Sequence, residues 1–164
     1  NGEVTVNMGQ PRFAPADIPL HRDMIEDEYS LNIDEELIAF GAVSMGNPHA
    51  VLLVDDIDSA PVAELGPRLE SHPDFPNRVN VGFAEVINRD QIRLRVYERG
   101  AGETEACGSG ACAAMVIARQ QGLVNDKVAV DLRGGTLQIS WAGDDSSVWM
   151  TGPATHVFDG QIEI

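Results

Sequence analysis

Short runs of β-branched and other apolar residues alternate with polar turns along most of the chain. Such runs are typical of strands, because these side chains suit a pleated and partly buried surface. The acidic turn 34–36 separates two of the runs and predicts a hairpin, and residues 3–7 look like a strand already under way. The pattern predicts an antiparallel-rich sheet or barrel, with strands at 29–33, 37–45, 50–54, 79–87, 91–98, 127–132, 135–141 and 148–151.

Two segments carry apolar residues at helical spacing instead. Residues 61–71 have a proline in the first turn and apolar residues along one face, which predicts an amphipathic helix that covers the sheet from outside. Residues 110–121 are apolar almost throughout, and Gly122 is placed to end the helix. A helix that is apolar on all sides has to be enclosed, so this one is expected at the centre of the fold.

Length and composition favour one domain, or one half of a two-domain enzyme. The chain has 164 residues, of which 43% are hydrophobic, and this is enough to bury a core. A formal charge of −15 leaves nothing to neutralise phosphates, so nucleic acid is not an expected partner. No apolar run approaches the roughly 20 residues that span a bilayer, and the start lacks the features of a signal peptide. We therefore expect a cytoplasmic protein without a membrane partner.

Cys107 stands where a glycine-rich loop enters the apolar helix. The unpaired N–H groups and positive dipole of a helix N-terminus favour anions, so we expect a lowered pKa for this thiol and a substrate carboxylate beside it. Gly108 and Gly110 keep side chains away, and the Ser109 hydroxyl adds a donor. This arrangement suits removal of a proton α to a carboxylate. Taken alone, the pattern leaves an alternative open, in which Cys107 is a small buried residue after a tight turn.

The second cysteine, Cys112, is expected to serve packing. It lies five residues after Cys107 and points to a different side of the apolar helix. The two are too close along one helix to be natural disulfide partners, and neither lies in a zinc-type spacing. Neither a structural disulfide nor a metal is therefore expected.

Polar residues near three strand ends are further candidates, each with a structural alternative. Asn47 and His49 lie in a turn between two strands, which could be purely structural or could present both groups to a ligand. Asn80 lies in an otherwise apolar strand and calls for a buried partner or a ligand. Glu98 and Arg99 end another strand, either as a surface ion pair or as a grip for a zwitterionic amino acid.

Three motifs together resemble the diaminopimelate epimerase family. They are Gly-Asn-Pro-His at 46–49, Asn-Val-Gly-Phe at 80–83, and the long run that begins Glu-Arg-Gly-Ala-Gly-Glu-Thr and ends Ala-Cys-Gly-Ser-Gly at 98–110. Their order and spacing also match, and the resemblance extends over the whole chain. It implies an α+β fold in which mostly antiparallel strands wrap as a barrel-like sheet around a central apolar helix.

The resemblance also implies a mechanism that needs neither cofactor nor metal. In the family, one cysteine from each of two domains faces the α-carbon, and the pair interconverts LL- and meso-diaminopimelate for lysine and peptidoglycan biosynthesis. Cys107 matches the C-terminal cysteine of this pair, and His49 and Glu98 match positions that assist the thiols. The positions that match substrate-binding residues are Asn47, Asn80, Glu98, Arg99, Gly108 and Ser109.

The chain departs from the family pattern before Cys107 and at Phe158. No second cysteine motif precedes Cys107, so the chain by itself is expected to be inactive. We expect residues 8–152 to form the C-terminal domain, and residues 1–7 and 153–164 to pair with an N-terminal domain. The intact enzyme is expected to be a homodimer, with Phe158 standing where many relatives carry a tyrosine linked to the dimer contact.

Two alternatives stay open at this stage. A proline or hydroxyproline racemase of the same fold would use the same thiols, but Glu98 and Arg99, together with Asn47 and Asn80, suit a second charged terminus that proline lacks. A related fold in phenazine-type isomerases replaces the cysteine chemistry, so Cys107 argues against it. From a different class, the alternative is a non-catalytic amino-acid-binding module.

Overall fold

The computed structural model describes residues 2–162, which form ten strands, two α-helices and a short 3-10 helix. The strands are β1 (Gly2–Asn7), β2 (Tyr29–Ile33), β3 (Glu36–Ser44), β4 (Pro48–Leu53), β5 (Asn80–Asn88), β6 (Gln91–Glu98), β7 (Gly102–Thr104), β8 (Lys127–Leu132), β9 (Gly135–Ser140) and β10 (Trp149–Ala154). The α-helices are α1 (Val62–Glu70) and α2 (Gly108–Gln120), and the 3-10 helix is Pro15–Asp17. All eight strands expected from the runs are present within a few residues of their predicted bounds.

The described strands form one mixed sheet in the order β1-β10-β9-β8-β6-β5-β4-β3-β2, with β7 paired to β6. The α+β class and the mostly antiparallel pairing are confirmed, although β4 with β5 and β6 with β8 are parallel pairs. The strands surround α2 as the barrel-like arrangement predicts. The sheet is not closed, because β1 and β2 lie at opposite ends of its strand order. All six residues of β1 are exposed, so this end of the sheet extends away from the core.

The central position of α2 is also confirmed. Every residue from 110 to 118 is buried, and the helix packs against β3, β4, β5, β6, β8, β9 and β10. It begins at Gly108 rather than Gly110, because Cys107 is still extended (φ −139°) and its carbonyl accepts the first helical bond from Ala111 at 2.9 Å. Gly122, at φ +73°, follows its end as expected.

The other helix, α1, belongs to a second apolar cluster. Its buried residues Val62 and Leu69 join residues of β2 to β5, including Phe40 and Phe83. This cluster and the cluster around α2 share the strands between them, so the sheet is packed along much of its length on both faces. The site residues expected from the sequence lie at the ends of these shared strands.

The domain boundaries at 8 and 152 stay a prediction. Strand β1 pairs antiparallel with β10 from Gly2 opposite Ala154 to Asn7 opposite Trp149, so the start of the chain and the segment around residue 153 lie side by side. Asn1, Glu163 and Ile164 also belong to the two terminal segments that are expected to pair with another domain, and these three lie outside the described residues.

Candidate active site

The site forms where four elements end or begin at one edge of the sheet. Strands β4 and β5 are parallel, so their first residues lie together, with His49 opposite Asn80. Strand β6 is antiparallel to β5, which brings Glu98 at its last position back to the same edge. The N-terminus of α2 lies there too, because the side chains that precede and begin β4 reach Ser109.

Asn47, His49 and Ser109 form a closed triangle of hydrogen bonds. The Asn47 amide nitrogen donates to Ser109 Oγ at 3.2 Å. His49 Nε2 lies 3.1 Å from Asn47 Oδ1 and 3.1 Å from Ser109 Oγ. Since an amide oxygen only accepts, Nε2 carries the proton in this arrangement. The expected turn therefore does more than connect two strands, since it fixes the serine at the start of α2.

His49 is held neutral by its surroundings. The side chain is buried, and this desolvation, together with the positive charge of Arg99, lowers the pKa of His49 to about 3. An imidazole with that pKa carries no charge near neutral pH. Its contribution at the site is then a fixed N–H donor rather than a proton carrier.

Cys107 occupies the N-cap position of α2, as the motif predicts, but the expectation of a lowered pKa is wrong. Burial raises the pKa of the thiol, and hydrogen bonds from the Ser109 hydroxyl and the Gly110 N–H offset only part of this effect. The Sγ atom lies 3.7 Å from Ser109 Oγ. The negative charge of Glu98 raises the pKa further. The thiol is only 6% exposed and lies beside a carboxylate. Desolvation of its anion therefore raises the pKa by more than the hydrogen bonds at the helix N-terminus lower it.

Both glycines of the motif lie in closely packed surroundings. A Cβ at Gly110 would lie 3.2 Å from the Cys107 sulfur, and one at Gly108 would lie 3.0 Å from the sulfur of Met150. Two of the first three residues of α2 therefore carry no side chain, and the N–H groups of Gly108 and Ser109 lie at the helix start. Such N–H groups have no partner within a helix and are suited to an anionic carboxylate.

The Asn80 side chain is hydrogen-bonded to the backbone N–H of Arg99. The Asn80 amide donates to the Pro48 carbonyl at 2.8 Å and accepts the Arg99 N–H at 3.0 Å. The exposed Arg99 side chain donates from Nη1 to the Asn77 carbonyl at 3.1 Å. The buried partners expected for Asn80 are therefore backbone groups, on β4 and directly after β6. Through these two bonds Asn80 fixes the position of Arg99 relative to β4.

Comparison with known proteins decides the family. The model of the family described as diaminopimelate epimerase matches residues 41–157. That range contains every residue of the site. The chain belongs to the diaminopimelate epimerase family. The family resemblance read from the motifs is therefore confirmed.

Curated members of the diaminopimelate epimerase family align over the full chain. The proteins named diaminopimelate epimerase from Chromobacterium violaceum and Alkalilimnicola ehrlichii are each 58% identical over 164 residues, which is 100% of this chain and 59% of each relative. The one from Azotobacter vinelandii is 55% identical over the same shares. The chain thus spans about 59% of the length of these relatives.

Solved structures show the same fold at low sequence identity. A hydroxyproline epimerase from Agrobacterium vitis matches with a TM-score of 0.58 and 19% identity, over 92% of this chain and 50% of that one. A probable proline racemase from Agrobacterium radiobacter K84 matches with a TM-score of 0.58 and 15% identity, over 96% and 54%. At such identities the likeness extends to the fold alone.

The structure brings seven of the expected site residues together and leaves one apart. The seven near the N-terminus of α2 are Asn47, His49, Asn80, Glu98, Cys107, Gly108 and Ser109. Arg99 borders them through Asn80, whereas Phe158 lies in the exposed segment after β10. Their roles toward a substrate and a dimer stay predictions.

Glu70 and Thr104 contact the site and were not singled out from the sequence. Glu70, 5% exposed on α1, accepts the Gly100 N–H at 3.0 Å and so supports the turn after Arg99. It lies eight residues after Val62, about two helical turns, and this spacing on the apolar face was a signal readable in the sequence. Thr104 donates to Glu98 Oε1 at 2.5 Å.

Two further findings concern metals and membranes. Within residues 2–162, no group of three or more His, Cys, Asp and Glu side chains is arranged to hold a metal ion. Over the same part of the chain, no helix is long and apolar enough to cross a membrane.

Proposed function

We propose that this chain supplies the C-terminal half of the active site of a cofactor-independent diaminopimelate epimerase, which interconverts the LL and meso isomers. Membership of the family supports the proposal, and the observation that carries it is the position of Cys107. The thiol lies at the start of a buried helix, between the Ser109 hydroxyl and the Glu98 carboxylate. A group that removes a proton needs both a donor that stabilises its anion and an acceptor for its own proton.

In the proposed reaction, the Cys107 thiolate and a thiol from the other half act on opposite faces of the α-carbon. One sulfur takes the α-proton as the C–H bond breaks, and the other thiol gives its proton to the opposite face. The charge that develops meanwhile on the α-carboxylate is received by the N–H groups of Gly108 and Ser109. In the reverse direction the two sulfur atoms exchange roles.

The neighbouring polar residues serve binding and orientation in this proposal. His49 and Asn47 fix the Ser109 hydroxyl, and the neutral His49 adds no charge that would compete for the carboxylate. Arg99 and Asn80 hold the distal amino acid end of diaminopimelate. The raised pKa of Cys107 means that the thiol needs a proton acceptor to become a thiolate. In this proposal Glu98 is that acceptor.

We also propose a cytoplasmic location for the reaction, because it needs Cys107 as a free thiol. Both cysteines are free in the structure, and the proposed reaction needs Cys107 in its reduced form. Thiols stay reduced in the cytoplasm and are oxidised in secretory compartments. We further propose that the intact enzyme is a homodimer.

The test is exchange of the α-proton in deuterated water, followed by NMR. The chain is joined to the part of the Chromobacterium violaceum relative that it does not match, and is incubated with LL-diaminopimelate, proline or hydroxyproline. We expect deuterium to enter diaminopimelate alone, without added cofactor, and the unjoined chain to give no exchange. Deuterium in proline or hydroxyproline would instead indicate a proline or hydroxyproline racemase. Exchange into none of the three substrates would overturn the proposal.

Two matched cysteine variants of the joined protein complete this test. Cys107→Ala should lower exchange at least about 1,000-fold, because the group that moves the proton is removed. Cys112→Ala should keep exchange, since Cys112 is 0% exposed within α2 and only packs. Substantial exchange by Cys107→Ala would contradict the two-thiol mechanism.

A further inference from the structure

The glycine-rich loop before Cys107 contains a short strand that the sequence pattern does not mark. Strand β7 folds back on β6 in a tight hairpin, with Glu98 opposite Gly102 and Val96 opposite Thr104. The Ala101 N–H donates to the Glu98 carbonyl at 3.1 Å and closes the turn. The two residues that end β7 point to opposite faces of the sheet, because successive side chains of a strand alternate.

On one face, Glu103 fastens β7 to two arginines. Arg95 donates from Nε to Glu103 Oε1 at 2.7 Å and from Nη2 to Oε2 at 3.1 Å, and Arg133 approaches the same carboxylate at 3.2 Å. The bidentate Arg95 contact is the first cause of the lowered pKa of Glu103. A paired carboxylate of this geometry is better fixed than an ordinary surface ion pair.

On the other face, Thr104 meets Glu98. The threonine hydroxyl donates to Glu98 Oε1 at 2.5 Å, and the side chains of both residues lie on the α2 side of the sheet with Val96, which is buried against α2. The next residue, Glu105, accepts the Gly134 N–H at 2.7 Å through its carbonyl. Thr104 is therefore held between two fixed points, the Glu103 ion pairs and the β8–β9 turn.

We propose that Thr104 is a positioning residue, which holds the Glu98 carboxylate against the Cys107 thiol, with Glu103 and its two arginines as the anchor of β7. A carboxylate at a strand end has several rotamers, and the Thr104 hydroxyl bound to one oxygen of Glu98 selects one of them. The inference deepens the proposed function and rests on it for the meaning of the Glu98–Cys107 pair.

The first test measures the contact itself and needs no enzymatic activity. The chain is labelled with ¹³C at the cysteine Cβ atoms, and the titration of Cys107 is followed by NMR in wild type, Glu98→Gln, Thr104→Val and Thr104→Ser. Glu98→Gln should move the titration to lower pH, because the charge of Glu98 raises the pKa of the thiol. Thr104→Val should move it in the same direction, since the carboxylate leaves the sulfur, and Thr104→Ser should restore the wild-type curve.

The double variant Glu98→Gln/Thr104→Val separates positioning from a general structural effect. If Thr104 acts through Glu98, adding Thr104→Val to Glu98→Gln produces no further shift. A shift that persists in the double variant, or a Thr104→Val curve equal to wild type, overturns the proposal. Thr104→Ala, which also lacks the hydroxyl and needs less room, replaces the valine variant if that one does not fold.

The second test uses the joined protein and proton exchange into diaminopimelate. Thr104→Val should lower kcat about 10-fold to 100-fold with little change in KM, and Thr104→Ser should recover most of it. A rise in KM at constant kcat would contradict the positioning role. If the wild-type joined protein gives no exchange at all, the proposed function fails, whereas the titration result decides the positioning role separately.

Discussion

The state of Cys107 is set by opposing influences that act on one sulfur atom. Burial and the Glu98 carboxylate raise the pKa of the thiol, and the Ser109 hydroxyl and the Gly110 N–H lower it. The sequence motif shows the helix N-terminus that lowers the pKa, but it shows neither the burial of the thiol nor its proximity to Glu98. The raised pKa means that the resting group is a thiol, which can act as a base only after a neighbour accepts its proton.

Alkylation with iodoacetamide tests this arrangement in the chain itself. Because only the thiolate reacts, modification of Cys107 should be slow at pH 6 and should quicken about tenfold for each unit of pH until its pKa is reached. Glu98→Gln should react faster than wild type at the same pH, because the charge that raises the pKa is gone. The measurement is peptide mass spectrometry at a series of pH values.

Cys112 is the internal control for that experiment. It is 0% exposed, and burial raises its pKa to about 12, so it should stay unmodified until the chain unfolds. Equal and slow labelling of both cysteines at every pH would show that the helix end gives Cys107 no special accessibility.

At the scale of elements, the site depends on how closely α2 approaches the sheet. Gly41 on β3 faces Ile117, and a Cβ at that glycine would lie 2.4 Å from Ile117 Cγ2. Gly82 on β5 is different, since a Cβ there would meet Leu94 at an ordinary 3.5 Å. The depth at which α2 lies, and thus the position of its N-terminus, is set in part by the first of these contacts.

Gly41→Ala should therefore destabilise the chain by about 1–3 kcal/mol, because α2 or the strand has to shift. The matched variant Gly82→Ala should cost less than about 1 kcal/mol, since its methyl group meets no short contact. Urea unfolding followed by circular dichroism measures both. In the double variant with Ile117→Ala the cost of Gly41→Ala should shrink, and additive costs would show that the two residues do not compete for space.

At the scale of the whole molecule, the segment after β10 leaves the core. Val157, Phe158 and Ile162 are 84%, 78% and 85% exposed, in a chain that spans 59% of its Chromobacterium violaceum relative. Apolar side chains exposed together are typical of surfaces that contact another domain or chain. Pairing of the terminal segments with an N-terminal domain stays a prediction.

Phe158→Ala in the joined protein should weaken the proposed dimer. Losing a buried aromatic ring at an interface typically costs about 2 kcal/mol or more, or roughly 30-fold in the dissociation constant. Sedimentation velocity over a range of concentrations measures the change. Phe158→Tyr, which keeps the ring, and Met24→Ala, at a 70% exposed residue elsewhere, should leave the dimer intact. An unchanged dimer in Phe158→Ala would exclude this contact.

Much of the fold could be predicted because its signals are local. Strands such as β2 and β6 and the buried helix α2 follow from the spacing of apolar residues, which depends only on a few neighbours along the chain. Strand β7 could not be predicted, because three residues in a glycine-rich loop carry no periodicity of their own. The strand order of the sheet could not be predicted either, since it depends on pairing between strands that are distant along the chain.

The sequence by itself determined which chemical groups are present and where a family motif places them, namely Cys107 before a helix and Glu98 at a strand end. Only the tertiary structure decided what those groups experience. Ser109, His49 and Asn47 come together across 62 residues of chain, and Thr104 reaches Glu98 only because β7 folds back. Desolvation and hydrogen bonding depend on every atom around a group, so the direction of the Cys107 pKa shift became visible only when its neighbours were in place.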